Sequence, residues 1–132
     1  MNYWGVSGSC IVSTRLKALL VREFGNLNIQ FIPCISKQFP NVEMWILNVC
    51  EYHDVLDLKN IVYQKGYNLK GEEIIKNIER LVFKKEAFKL DMFKIIKNGT
   101  KRSIRLYVSD HFKAIMDENG ITGLALEKVY SI

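Results

Sequence analysis

One phrase occurs twice in this chain, once near each end, and it fixes what those two ends can fold into. Ile11-Val12-Ser13-Thr14-Arg15-Leu16-Lys17-Ala18-Leu19-Leu20 and Tyr107-Val108-Ser109-Asp110-His111-Phe112-Lys113-Ala114-Ile115-Met116 match at Val, Ser, Lys and Ala, and apolar residues answer one another elsewhere. A serine that follows an apolar residue and precedes apolar positions three and four apart reads as a strand running into an N-capped amphipathic helix. Ser13 and Ser109 are the expected caps. Each helix is expected to stop at its glycine, Gly25 or Gly120, in a left-handed conformation that closes the last turn without a β-carbon clash. Past those stops, Ile29-Gln30-Phe31-Ile32 and Leu124-Ala125-Leu126-Glu127 alternate as half-buried strands do. The reading is a strand-helix-strand unit used twice; the alternative is two unrelated capped helices that look alike.

The size of the chain and its apolar content settle what else it needs. With 132 residues, 48% of them hydrophobic and only two prolines, it reads as one globular domain spanning 1–132. A domain of this length buries roughly two-thirds of its unfolded surface and needs no staples. Cys10, Cys34 and Cys50 are odd in number, widely spaced and set in or beside apolar runs, so they read as reduced, buried cysteines of a cytosolic protein. A zinc site built from Cys34, Cys50 and His53 would lack close-spaced ligand pairs, and no metal or cofactor is expected. The opening residues lack the basic start and apolar core of a signal peptide, and no apolar run approaches a membrane span. A cytoplasmic location is expected.

Charge is concentrated in one segment. The net charge is +5, but residues 76–105 hold ten Lys or Arg against three acids and carry +7, leaving −2 for the remainder. The cations, from Lys76 to Arg105, are interleaved with Leu81, Val82, Phe83, Phe88, Phe93, Ile95 and Ile96. Lysines beside aromatic rings can neutralise phosphates while the rings stack on bases. The same pattern is that of a half-buried strand, with phenylalanines inward and lysines in water as guards against edge pairing. No compact nucleic-acid-binding signature accompanies it, which favours the solvated face.

The middle of the chain reads mainly as strand. Val42 to Cys50 is rich in large apolar and β-branched residues and is bounded by Phe39-Pro40-Asn41 and by Glu51-Tyr52-His53-Asp54. Asn60 to Tyr63 is a short apolar run, and Gly66 and Gly71 bracket an expected loop. Ile74, Ile75, Ile78, Leu81 and Val82 fit a helix face, while Ile78 to Phe83 fits an extended segment equally, so a short helical turn and then a strand are expected. Asp91–Ile96 and Ser103–Val108 are expected strands joined around Asn98-Gly99, a dipeptide suited to a tight hairpin turn. Helices near both ends and a strand-rich middle give an α+β domain with a largely antiparallel sheet.

The catalytic inventory is thin. His53-Asp54 and Asp57 follow the strongest strand, where a His paired with a carboxylate can act as general base, although a loop acid more often caps backbone amides. Gly-x-Ser-x-Gly, phosphate-loop and His-Glu-x-x-His motifs are absent from the sequence. The glycines of Trp4-Gly5-Val6-Ser7-Gly8-Ser9 resemble a phosphate cradle only loosely, without its lysine. No catalytic residue is assigned.

Val108-Ser109-Asp110-His111-Phe112-Lys113, with Asn119-Gly120-Ile121-Thr122-Gly123-Leu124 after it, resembles the C-terminal signature of the bacterial polymorphic-toxin immunity proteins of family eleven. Trp45-Ile46-Leu47-Asn48-Val49 with Val55-Leu56-Asp57 is similar to that family's central strand and downstream aspartate. Asp91-Met92-Phe93-Lys94-Ile95 is similar to the strand before the last unit. Members often run longer at the N-terminus, so the resemblance is that of a short variant or of a partial copy. It implies a protein that binds and neutralises a cognate toxin and catalyses nothing. A basic inhibitor does not imitate nucleic acid, so the toxin is expected to offer an acidic face or to be held by shape and apolar contacts. Phe88, Lys89, Lys94, Lys97, Lys101 and Arg102 are the candidate contact residues. Nucleic-acid binding through residues 76–105 is the alternative, and a homodimer through the sheet edge stays open.

Overall fold

Both repeat serines cap their helices. The computed structural model describes residues 2–7 and 10–131. In it Ser13 Oγ accepts a hydrogen bond from the Leu16 amide and Ser109 Oγ accepts one from the Phe112 amide, each at 3.1 Å. Helices α1 (Thr14–Phe24) and α2 (Asp110–Glu118) follow these caps. Strand β2 (Ile11–Ser13) leads into α1 and β3 (Ile29–Cys34) follows it; β9 (Tyr107–Ser109) leads into α2 and β10 (Ala125–Ser131) follows it.

The two units share more than local sequence. Strand β4 (Met44–Val49) lies between β2 and β3 and runs antiparallel to both. Strand β1 (Asn2–Ser7) lies between β9 and β10 and runs antiparallel to both. Each unit is therefore a parallel strand pair split by a central antiparallel strand from elsewhere in the chain. The registers correspond as well. Val12 stands opposite Trp45, and Val108 stands opposite Trp4. Trp45 Nε1 donates to Thr14 Oγ1 at 3.2 Å, and Trp4 Nε1 donates to Asp110 Oδ1 at 3.0 Å, so the first residue of each helix receives the indole hydrogen bond.

Between the units lie β5 (Tyr52–His53), β6 (Val62–Tyr67), β7 (Glu73–Arg80), a 3-10 turn at Lys85–Lys89, and β8 (Met92–Ile95). The larger sheet runs β10-β1-β9-β8-β5, with β5 joining β8 in parallel and the other neighbours antiparallel. This is the expected α+β architecture.

The larger sheet is covered on both faces. One face gives Trp4, Val6, Met92, Val108 and Leu126 to a core shared with both helices and with Val12, Leu47 and Val49 of the smaller sheet. The other gives Tyr3, Phe93, Ile95 and Tyr107 to a second core, closed by Val55, Leu56, Ile61, Phe83 and Ala87, with Tyr63, Ile75 and Ile78 of the β6–β7 hairpin packed against it. Tyr3 is fully buried, donates its hydroxyl to the Ala87 carbonyl at 2.6 Å, and meets Phe83 and Phe93 edge to face at 5.2 and 5.7 Å. Such ring pairs contribute about 0.5–1.5 kcal/mol each beyond burial.

Several expectations need correction. Gly25 sits in the right-handed region at φ −66°, and its lack of a side chain is required because a β-carbon there would strike the Val21 carbonyl. Gly120 is left-handed as expected, at φ 63°, and the amides of Gly120 and Ile121 bond the carbonyls of Asp117 and Met116, closing α2 with a Schellman motif. Residues 73–80 form a strand with no helical turn, since β6 supplies a partner and β-branched Ile74, Ile75 and Ile78 favour the extended state. Gly66 lies inside β6, and only Gly71 belongs to the connecting turn. Asn98 and Gly99 are both left-handed, as a type I′ turn demands, but the strand after them begins at Tyr107 and not at Ser103. The three cysteines are half-buried. No helix among the described residues is long and apolar enough to cross a membrane.

Candidate functional site

The basic segment is strung along the molecule rather than gathered. Phe88 and Lys89 close the 3-10 turn before β8, Lys94 lies within β8, and Lys97, Lys101 and Arg102 surround the turn after it. Phe88 is half-buried and packs against the second core, whereas Lys89, Lys101 and Arg102 are exposed. Lys94 is half-buried, with its ammonium 5.6 Å from the Tyr52 ring. Lys97 is half-buried and bridges Thr100 across the turn. Of the other cations, Lys84 faces Asp54 at 3.8 Å and Arg105 pairs with Glu127 at 3.0 Å.

The turn after β8 has a second attachment. Asn98 Oδ1 accepts from the Ile75 amide and Asn98 Nδ2 donates to the Ile75 carbonyl, both at 2.9 Å. One side chain thus imitates a strand neighbour for β7. It holds the basic turn against the hairpin edge.

His53, Asp54 and Asp57 do not converge. His53 Nε2 contacts Glu51 Oε1 at 3.3 Å, and Asp54 faces Lys84. Asp57 accepts from the Asn60 side chain at 2.8 Å and from the Lys59 amide at 3.2 Å, and the Asn60 bond in particular holds its carboxyl below the ordinary range. That is the work of a turn-capping acid. Among the described residues no group of three or more His, Cys, Asp or Glu is placed to hold a metal ion. Gly5 belongs to β1, and its open side is occupied by the Arg105 guanidinium, 2.5 Å from where a β-carbon would stand. Gly8 and Ser9 of the loosely matching cradle lie outside the described residues.

A further surface escaped the sequence reading. Ile11, Ile46 and Ile32 are neighbours in register across β2, β4 and β3, and directly opposed residues share a sheet face. They are 48%, 41% and 47% exposed, on the side away from Val12, Leu47 and Phe31. The available signal was the unbroken apolar run Met44-Trp45-Ile46-Leu47, which marks a strand apolar on both faces.

Comparison with protein-family models matches residues 1–131 to the immunity protein family Imm11. Searches of curated proteins and of solved structures return no match.

Proposed function

The chain belongs to the Imm11 immunity protein family, and from that premise we propose that it acts as one domain in the cytoplasm of a bacterium. There it binds a cognate toxin in fixed stoichiometry and blocks it without catalysis of its own. The observation that carries this reading is the extent of the family match, which covers residues 1–131. The local geometry agrees with it, because His53, Asp54 and Asp57 are each engaged in separate structural contacts. The contact residues are Phe88, Lys89, Lys94, Lys97, Lys101 and Arg102, and the toxin surface that faces the exposed cations among them is acidic. Exposed cations at Lys89, Lys101 and Arg102 speed encounter with such a face.

The test is co-expression with the product of the gene immediately upstream. Rescue of growth, with co-purification at one ratio that persists as salt rises, supports the reading. Absence of rescue and of any complex refutes it. If the purified chain then retains RNA or DNA only at low salt, counterion release from residues 76–105 becomes the working explanation.

A further inference from the structure

The β6–β7 hairpin reaches past the core that it covers. Tyr63, Ile75 and Ile78 pack against the second core. Lys65 stands opposite Ile75 and Tyr67 opposite Glu73, and opposed residues, like residues two apart on one strand, share a face. Tyr67 therefore lies on the face of Ile75, one step further out, yet it is 70% exposed. At that step the hairpin has run off the edge of the core. Leu69, at the tip, is fully exposed.

The tip is rigid, and its turn does not need Leu69. Asn68 Oδ1 accepts from the amides of Lys70 and Glu72 at 2.9 and 3.0 Å. The Asn68 amide donates to the Glu72 carbonyl and its carbonyl accepts from the Gly71 amide, both at 3.0 Å. Gly71 supplies the left-handed residue, at φ 78°. Asn68 and Gly71 thus specify the turn, whereas leucine is no turn former. A tip fixed in this way holds Leu69 in place before a partner arrives, which cuts the ordering cost of binding.

The same end of the hairpin is tied to the contact residues proposed above. Asn98 bonds both backbone groups of Ile75, two residues from Glu73 and its partner Tyr67. The turn that holds Lys97, Lys101 and Arg102 therefore abuts the overhanging end. Residues 97–102 contain three cations and no apolar side chain, and Phe88 is half-buried in the second core. Tyr67 and Leu69 supply the exposed apolar area that this set lacks, and tyrosine is prominent among interface anchors. Glu72 and Glu73 beside them repel phosphate, so the occupant of the tip is a protein rather than a nucleic acid.

The geometry points to Tyr67 and Leu69 as the apolar anchors of the toxin contact, seated in an apolar pocket whose acidic rim meets Lys97, Lys101 and Arg102. This rests on the immunity reading and adds to it the part of the surface that retains the partner after charge has speeded encounter.

The test measures binding of the full chain to the purified product of the gene immediately upstream, for wild type, Tyr67→Ala, Leu69→Ala and, as a control at an exposed leucine before β6, Leu58→Ala. The two tip variants are expected to bind roughly tenfold or more weakly, mainly through faster dissociation, with thermal unfolding unchanged. Leu58→Ala is expected to bind as wild type does. In the wild-type complex the amides of residues 67–72 should gain protection from hydrogen exchange. Tip variants that bind as tightly as a functioning wild type, or a tip that gains no protection in the complex, overturn the anchor and leave the immunity reading intact. A wild type that neither binds nor protects overturns that reading, and the anchor with it. Tip substitutions that reduce retention of RNA or DNA without weakening a protein complex also overturn the anchor.

Discussion

Lys17 holds its ammonium 3.4 Å from the ring centroid of Trp45, and the indole of the same residue donates to Thr14 one turn earlier on the helix. The corresponding pair, Lys113 over Trp4, is wider at 5.2 Å. The lysine retained in both copies of the phrase thus clamps each helix to its central strand. Lys17→Met is expected to cost about 0.5–1 kcal/mol, and Lys113→Met less, by urea denaturation. A Lys17/Trp45 double-mutant cycle should show coupling, and strict additivity would remove the clamp.

The caps are alike in geometry and unlike in cost. Ser13 is exposed, so Ser13→Ala should lose only the cap, about 1 kcal/mol. Ser109 is 5% exposed and also donates its hydroxyl to Asp91 Oδ1 at 2.7 Å. Ser109→Ala strands that carboxylate as well, and a loss of roughly 2 kcal/mol or more is expected. Equal losses in thermal unfolding would show that the Asp91 bond contributes nothing.

What was legible in the sequence was local. A cap needs one side chain and an amide three residues on, so Ser13 and Ser109 declare themselves within a few positions. The Asn98-Gly99 turn does the same, because its left-handed pair is specified by those two residues. The matching of Trp4 with Trp45 was not legible. Those strands stand before and after their helices in chain order, and only sheet pairing shows that they occupy one role. Ile74 to Val82 satisfied both periodicities, and what decided for β7 was its pairing with the preceding strand β6, which the segment's own periodicity does not carry. The open face of Ile11, Ile32 and Ile46 was hidden for a similar reason. An apolar run on β4 marks two apolar faces but not which of them the rest of the chain covers.

Asn98 performs two tasks that substitution can separate. Asn98→Gly keeps the left-handed backbone and loses both bonds to Ile75, at a cost of roughly 1–2 kcal/mol. Asn98→Ala loses the same bonds but keeps a β-carbon in that conformation without the side-chain amide that favours it there, so it should cost roughly 1 kcal/mol more than Asn98→Gly. Hydrogen exchange at the Ile75 amide should accelerate in both. Unchanged protection in Asn98→Gly would mean that the hairpin is held by its apolar contacts alone.

Asp110 gives α2 a dependence on pH. Burial pushes its carboxyl up, but the bonds from the Asn2 amide at 2.7 Å and from Trp4 Nε1 at 3.0 Å outweigh this, and the pKa lies below the ordinary aspartate range. A depressed folded value means that the stabilisation is complete above the unfolded pKa and is lost as pH falls through the folded one. Asp110→Asn should therefore be less stable at neutral pH and flatter on the acid limb. An acid limb identical to wild type would assign that loss to other carboxylates, Asp57 among them.

Reversal of charge on the basic side separates binding from folding. Lys89, Lys101 and Arg102 are exposed, so their joint change to glutamate should alter unfolding free energy by only a few tenths of a kcal/mol per site. If these cations face an acidic surface of the toxin, the triple variant should associate more slowly, and its association rate should lose most of its salt dependence. Growth protection should fall with it at matched expression. Because the three residues lie at both ends of β8, single reversals at Lys89 and at Arg102 then show which end makes the contact. A triple variant that protects as well as wild type, with an unchanged association rate, would move the toxin contact off this side of the protein.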